Sequence, residues 1–247
     1  MVHYACAHGW LDVLKVLHVF SKPEDINARR NAGGTEVTPL MLAGAQRHFE
    51  VVEFLLSSYN DIDINAASAN GGHSTLHMAF GNPEMIKLLL DMSKQHNLGI
   101  DINAKEVNGK TVFHKANCLD EIESLEILIE NGANILAMPN ENEGEYIFTK
   151  NWKQSNEKFL EYLDVTEELT TLERLKLFTD NLDLLSNAIP KKGELEKPYT
   201  ISVAEIDERR RCDGQRIMLL FLKTFRDQNI DLRGVEDQFV DAENTSD

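Results

Sequence analysis

Hydrophobic positions along the first 137 residues fall into short stripes at helical spacing, separated by polar and glycine-containing links. Glu50-Val-Val-Glu-Phe-Leu-Leu56 places Val51, Val52, Leu55 and Leu56 on one side of a helix. The same pattern returns in Glu84-Met-Ile-Lys-Leu-Leu-Leu90, in Glu123-Ser-Leu-Glu-Ile-Leu-Ile129 and, near the start, in Asp12-Val-Leu-Lys-Val-Leu17. A shorter segment precedes each stripe: His3-Tyr-Ala-Cys6, Thr38-Pro-Leu-Met-Leu-Ala-Gly44, Ser74-Thr-Leu-His-Met-Ala79 and Thr111-Val-Phe-His-Lys-Ala116. Thr38 and Thr111 suit N-caps, and Pro39 sits where the first helical turn needs no N–H. The pattern therefore predicts helix pairs. A lone pair cannot bury its stripe, so the pairs must stack. Leu55, Leu56, Leu88, Leu89, Leu125 and Leu128 are the expected core, and the small Ala43-Gly44 pair is expected to let the two helices of a unit approach closely.

Between the pairs, Asp-Ile-Asn-Ala occurs at Asp25–Ala28, Asp63–Ala66 and Asp101–Ala104, with Asn27, Asn65 and Asn103 spaced 38 residues apart. Gly71-Gly72 and Asn108-Gly109 suit tight turns needing positive φ, and Asn131-Gly132 suits a left-handed helix stop. Four units in register resemble the ankyrin-repeat family, whose repeats of ~33 residues run turn, helix, turn, helix from a Thr-Pro-Leu-His start. The resemblance covers residues 1–137. It implies an all-α solenoid of helix-turn-helix units with projecting finger loops.

Departures from the family pattern are local. Met92–Gly99 is read as a lengthened link, and extra residues around Ala32–Glu36 as a lengthened finger. The third unit is short between Ser74 and Glu84. Met41 stands where the family has histidine, and Arg47 where it has glycine. The first unit has no finger or Thr-Pro, which reads either as a cut from a longer protein, the preferred reading, or as a natural half-repeat cap; with one neighbour only, its helices are expected to be the softest of the stack.

Residues 138–235 match less well and read either as degenerate repeats or as a helical capping domain. Gly144–Thr149 followed by Asn156–Leu163 resembles a worn fifth unit. Thr170-Thr-Leu-Glu173 is a capping-box pattern opening a helix, with a second short helix from Leu182 to Ile189. Pro190 to Pro198 reads as a breaker-rich loop. Ser202-Val-Ala-Glu205 opens another helix, and Gln215–Phe225 reads as a strongly apolar one. Residues 236–247 form an acidic tail.

Composition then narrows the function. The 247 residues carry 41 acids against 25 bases, a net charge of −16. Residues 1–137 hold 17 of the acids and 10 of the bases, so neither half is basic. Nucleic acid and anionic membrane are poor partners for such a chain. No apolar run reaches the ~20 residues of a membrane span. Three dispersed cysteines, Cys6, Cys118 and Cys212, point to a reducing compartment, and cytosol is the expected location.

Candidate chemistry reduces to repeat structure. His3, Cys6 and His8 lie close, and His114 with Cys118 has metal-ligand spacing. The resemblance instead places His3, His77 and His114 at the Thr-Pro-Leu-His position, tying a turn to the helix start, and puts Cys6 at a small buried alanine. Gly109-Lys110-Thr111 lacks the upstream glycine of a phosphate loop, since position 104 is Ala104. All eight histidines precede residue 115, which leaves Cys212 without a nearby base. Arg209-Arg-Arg211 and Arg216 follow Glu205, Asp207 and Glu208, as on a solvated helix. No catalytic residue, metal or cofactor is expected.

The resemblance implies a protein-binding scaffold or adaptor reading its partner with finger tips and the concave face of the first helices. Carried over by position, this points to Tyr4, His8, Arg29, Arg30, Glu36, Gln46, Asn70, His73, Met78, Glu106, Lys110, Lys115 and Leu119. The partner is another protein, and the chain is expected to be a monomer unless its N-terminal end pairs. The alternative is a targeting module: of a bacterial effector working in a host cytosol, or of an enzyme whose catalytic part is in 138–247 or absent.

Overall fold

The computed structural model describes residues 1–20, 26–118, 121–135, 137, 158–161, 163–165, 169–189 and 203–235. Outside it lie Asp25, Leu119, Gly144–Thr149, Asn156, Pro190–Pro198, Ser202 and the tail 236–247. The side chains of Cys118, Glu205 to Arg211 and Cys212 also lie outside the described set. Two units separate, the first Met1–Asn134 with Pro139–Asn142, the second Ile135–Met138 with Glu143–Asp247.

Unit one is built of helix pairs. α1 (Val2–His8) and α2 (Leu11–Phe20) open it. A two-stranded hairpin follows, β1 (Arg30–Ala32) against β2 (Thr35–Val37), with Arg30 opposite Val37. Next come α3 (Pro39–Ala45) and α4 (Phe49–Ser58), α5 (Thr75–Met78) and α6 (Pro83–His96), then α7 (Val112–Cys118) and α8 (Ile122–Glu130). The first helices α1, α3, α5 and α7 pack in one row and the second helices α2, α4, α6 and α8 in another. Leu55, Leu56, Leu89, Leu125 and Leu128 are buried between them as expected. Leu88 is not: it is half-buried, because α6 turns Met85, Ile86, Leu89 and Leu90 inward.

The caps work as their sequences suggest. Thr38 accepts from the Met41 amide at 3.3 Å, Ser74 from the His77 amide at 3.4 Å, and Asn82 from the Met85 amide at 3.0 Å ahead of Pro83. Met41 keeps the histidine's place by burial. Its sulfur lies 3.5 Å from the Thr38 nitrogen and it packs with Val37 and Ala66.

Two expectations are corrected. Residues Met92–His96 do not belong to a link; they continue α6 to 14 residues, since none of them breaks a helix. Asn97 ends it in the left-handed conformation (φ 54°), and Ser93 Oγ accepts the Ile100 amide at 3.0 Å. Gly44 does not serve the approach of α3 to its own partner α4: a Cβ there would face Thr75 on α5 of the next unit at an ordinary 3.7 Å. The lengthened finger is a β-hairpin, made possible by Gly33 and Gly34 at φ 64° and 93°.

Unit two contains α9 (Thr171–Asp180), α10 (Leu182–Ala188) and α11 (Val203–Asp227). Thr170 and Glu173 form the expected capping box: Glu173 accepts the Thr170 amide at 2.8 Å and its own amide donates to Thr170 Oγ1 at 3.3 Å. α11 joins the two expected helices into one of 25 residues. An interior glycine costs a helix only about 1 kcal/mol, and Gly214 alone does not break it. Leu175, Phe178 and Leu185 bury against Ile217, Phe221 and Phe225 where α11 packs on α9 and α10. Among the described residues no helix is long and apolar enough to cross a membrane.

Candidate functional site

The finger side of unit one is fastened by two sets of side chains that the repeat pattern marks without explaining. Each link asparagine bridges to the following link. Asn27 Nδ2 donates to the Asp61 carbonyl at 2.6 Å while its Oδ1 accepts the Asp63 amide at 2.8 Å. Asn65 does the same to Gly99 (2.9 Å) and Asp101 (2.8 Å), and Asn103 Oδ1 accepts the Asn134 amide at 2.7 Å. Within a link, Asp63 and Asp101 accept the amides of Asn65 and Asn103. Asparagine suits this place because its short amide offers a donor, Nδ2, and an acceptor, Oδ1, on separate atoms that reach neighbouring backbone groups.

The histidines form the second set. His77 Nδ1 accepts from Ser74 Oγ at 2.8 Å and from the Ser74 amide at 3.3 Å, and its Nε2 donates to the Lys110 carbonyl at 3.1 Å. His114 Nδ1 is held the same way by Thr111. His3 Nε2 donates to the Ala28 carbonyl at 2.7 Å. The ring thus ties its own helix start to the next unit's finger, a longer reach than the sequence suggested. Accepting at Nδ1 requires a neutral ring, and burial holds His3 and His77 below the usual imidazole range.

Bonds to backbone carbonyls run between fingers as well: the backbone amides of Ala69 to Glu36 O (3.2 Å) and Val107 to Gly71 O (3.1 Å), and the Asn70 side chain from Nδ2 to Gly34 O (2.6 Å). Successive fingers are therefore fixed to one another. On this frame Arg29, Arg30, Glu36 and Asn70 are exposed, as are Gln46, Tyr4 and His8 of the first-helix row. Met78 is different: half-buried, it packs on Val37, Met41 and Ala66. Leu119 lies outside the described residues.

His73, Glu106 and Lys115 come together. Glu106 Oε2 lies 2.8 Å from His73 Nε2 and 2.9 Å from Lys115 Nζ, with only 7% of its side chain exposed. Burial pushes its carboxyl up, but the Lys115 hydrogen bond and charge, with His73 and His77, outweigh that and hold it below the usual carboxylate range. Lys115 also sits 5.4 Å from the Phe80 ring centroid. The carboxylate pins finger to finger and finger to α7. Lys110, half-buried, contributes its carbonyl to His77.

Sequence reasoning missed the aromatic residues beside the helix–helix turns. Trp10 is 46% exposed and meets Tyr4 at 5.4 Å and His8 at 5.2 Å, while Tyr4 and His8 stack at 4.2 Å. Phe80 is likewise exposed. Their signal was the adjacent left-handed glycine, Gly9 (φ 70°) or Gly81 (φ 77°), which puts a neighbouring side chain on an outward turn. A Cβ on Gly9 would lie 2.6 Å from the His48 ring, so that position requires glycine twice over. The equivalent Arg47 adopts φ 61° and donates from Nη2 to the Gly81 carbonyl at 2.8 Å.

No group of three metal-ligating side chains gathers among the described residues. Cys6 is fully buried, and burial pushes its thiol up to about 12.

Compared with known proteins, residues 1–68 match the family model described as ankyrin repeats (3 copies). The chain is 29% identical over 121 residues to the mouse (Mus musculus) ankyrin repeat and SAM domain-containing protein 6, a match covering 49% of this chain and 12% of that protein. The chain thus spans only a small part of that relative's length.

Proposed function

The chain belongs to the ankyrin-repeat family, whose repeats are protein–protein interaction modules, and from that premise we propose that it is a non-enzymatic adaptor. It works in the cytosol and binds a protein partner along the fingers and the concave side of the first-helix row. One observation carries this reading. The fingers are hydrogen-bonded to each other and to the helices behind them, while Arg29, Arg30, Glu36, Gln46, Tyr4 and His8 stand exposed on that frame. A backbone already fixed loses little further entropy on binding, so the ordering cost is confined to the side chains. His3 and His77 are occupied in joining repeats.

The experiment is affinity capture from a eukaryotic cytosolic lysate with the full chain, followed by hydrogen-exchange mapping of the complex. Protection of the fingers and of α1, α3 and α7 is expected. Replacing Arg29, Arg30 and Lys110 by Ala together should weaken binding about tenfold or more. Thermal stability should move by less than ~0.5 kcal/mol. Cys6→Ser, Cys118→Ser and Cys212→Ser, compared at equal folded fraction, should leave affinity unchanged. Protection confined to residues 138–247 would overturn the reading.

A further inference from the structure

Charges in unit one are sorted by face. Along the second-helix row, eight carboxylates from Asp12 to Glu130 are exposed against three lysines, Lys15, Lys87 and Lys94. The fingers and first helices reverse the balance: Arg29, Arg30, Lys105, Lys110 and Lys115 stand against Glu36 and Glu106, and the exposed Asp61, Asp63 and Asp101 belong to the links at the finger bases. Glu106 is paired with Lys115 at 2.9 Å, so these two charges cancel and Arg29, Arg30, Lys105 and Lys110 remain. Among the described residues no carboxylate pairs with Arg29, Arg30 or Lys110. A chain of net charge −16 therefore keeps a cationic strip on one face and sets an anionic face behind it.

We propose that the strip binds an extended acidic peptide segment of a protein partner, an inference that rests on the binding face proposed above. Charge complementarity names the occupant. The strip attracts carboxylates and orients the approach, because the acidic second-helix row repels the same ligand from its own side. Tyr4 and Trp10 at the start of the first-helix row add an apolar contact for one side chain of the segment. Neighbouring repeats step by ~10 Å, so the first and third fingers lie about 20 Å apart, a span of about six extended residues at ~3.4 Å each, which a peptide of about nine residues covers. Two cationic clusters, Arg29 with Arg30 and Lys105 with Lys110, separated by a finger that carries no Arg or Lys, do not match nucleic-acid phosphates, which follow every ~3.4 Å along a strand. A longer polyanion running off the strip would also meet the exposed carboxylates behind it.

The test uses the full chain and fluorescence anisotropy. Four probes are compared: a labelled peptide of about nine residues alternating Glu with Leu, its isomer with Lys for Glu, single-stranded oligothymidine, and phosphatidylserine vesicles. The Glu peptide should bind with an affinity that falls as salt rises. The Lys peptide should bind at least about tenfold more weakly. Joint replacement of Arg29, Arg30 and Lys110 by Ala should weaken the Glu peptide about tenfold and leave the circular dichroism melt unchanged. A joint change to Glu at these positions should reverse the preference between the two peptides. Equal binding of both peptides, no binding of either, or indifference to the substitutions would overturn the proposal. Tighter binding of oligothymidine or of vesicles would overturn it in favour of a phosphate ligand. If a captured partner protects the fingers but the Glu peptide does not displace it, the acidic-peptide inference fails while the binding face stands. If the partner protects only residues 138–247, the binding face itself fails.

Discussion

Asn65→Ala is the sharpest probe of how the repeats are joined. The substitution removes two hydrogen bonds to the next link, Nδ2 to Gly99 O at 2.9 Å and Asp101 N to Oδ1 at 2.8 Å. A net hydrogen bond contributes about 0.5–1.5 kcal/mol. Asn65 is exposed, so water can replace both partners after truncation, which selects the lower part of that range. The pair should therefore contribute about 1–2 kcal/mol. Because stack stability is a sum of repeat and nearest-neighbour terms, the loss should concentrate at one junction. Hydrogen exchange read by mass spectrometry should accelerate in α6 and α7 more than in α1 and α3. Two comparisons isolate the cause. Glu53→Ala, on the exposed side of α4, should change stability by less than ~0.5 kcal/mol. Asp63→Ala removes only the bond to the Asn65 amide and should cost less than Asn65→Ala. Asn65→Asp keeps the acceptor for Asp101 but turns a carboxylate oxygen toward the Gly99 carbonyl. At neutral pH it should therefore be no better than Ala, and it should recover on acidification as the new carboxyl gains a proton to donate. If Asn65→Ala behaved like Glu53→Ala, or Asp63→Ala cost more, the repeated asparagine would be serving its own turn and not the junction.

Three further outcomes are expected. Leu89→Ala should cost about 2–5 kcal/mol in urea unfolding, because its buried site lies between stacked helices that cannot collapse into the gap, whereas half-buried Leu88→Ala should cost about 1 kcal/mol. The melting temperature should fall in two steps on acidification. His3 and His77, held below the ordinary 6.5, bind protons more readily in the unfolded chain, so their contribution is full above 6.5 and is lost as pH falls from there toward their folded values; Glu106, held below 4.5, loses its contribution only under stronger acid, and a melting temperature that rose on acidification would refute the assignment. Cys6, its thiol pushed up to about 12 by burial, should resist iodoacetamide in the native chain and react once the chain is unfolded in urea.

The repeat register, the helix pairs, the N-cap at Thr38 and most of the buried leucines were legible in the residues themselves. Each is governed by interactions within one or two helical turns, where spacing and capping chemistry act over a few positions. The arrangement of the finger side was decided by stacking. Asn65 meets Gly99 and Asp101, His77 meets the Lys110 carbonyl, and Arg47 meets the Gly81 carbonyl, partners more than thirty residues away that repetition in the chain does not identify. Met92–His96 followed the same rule. Their polar composition reads as a link, yet a repeat on either side of α6 and a buried Ser93 keep them helical. Among the side chains chosen by position alone, stacking also divided the exposed Arg29 and Arg30 from Glu106 and Lys115, which it joined to each other, and from Met78, which it drew into the core. Sequence periodicity specifies which face of a helix is apolar. Which exposed side chains remain available depends on what the neighbouring repeat brings within ~3 Å of them, and that is a property of the stack.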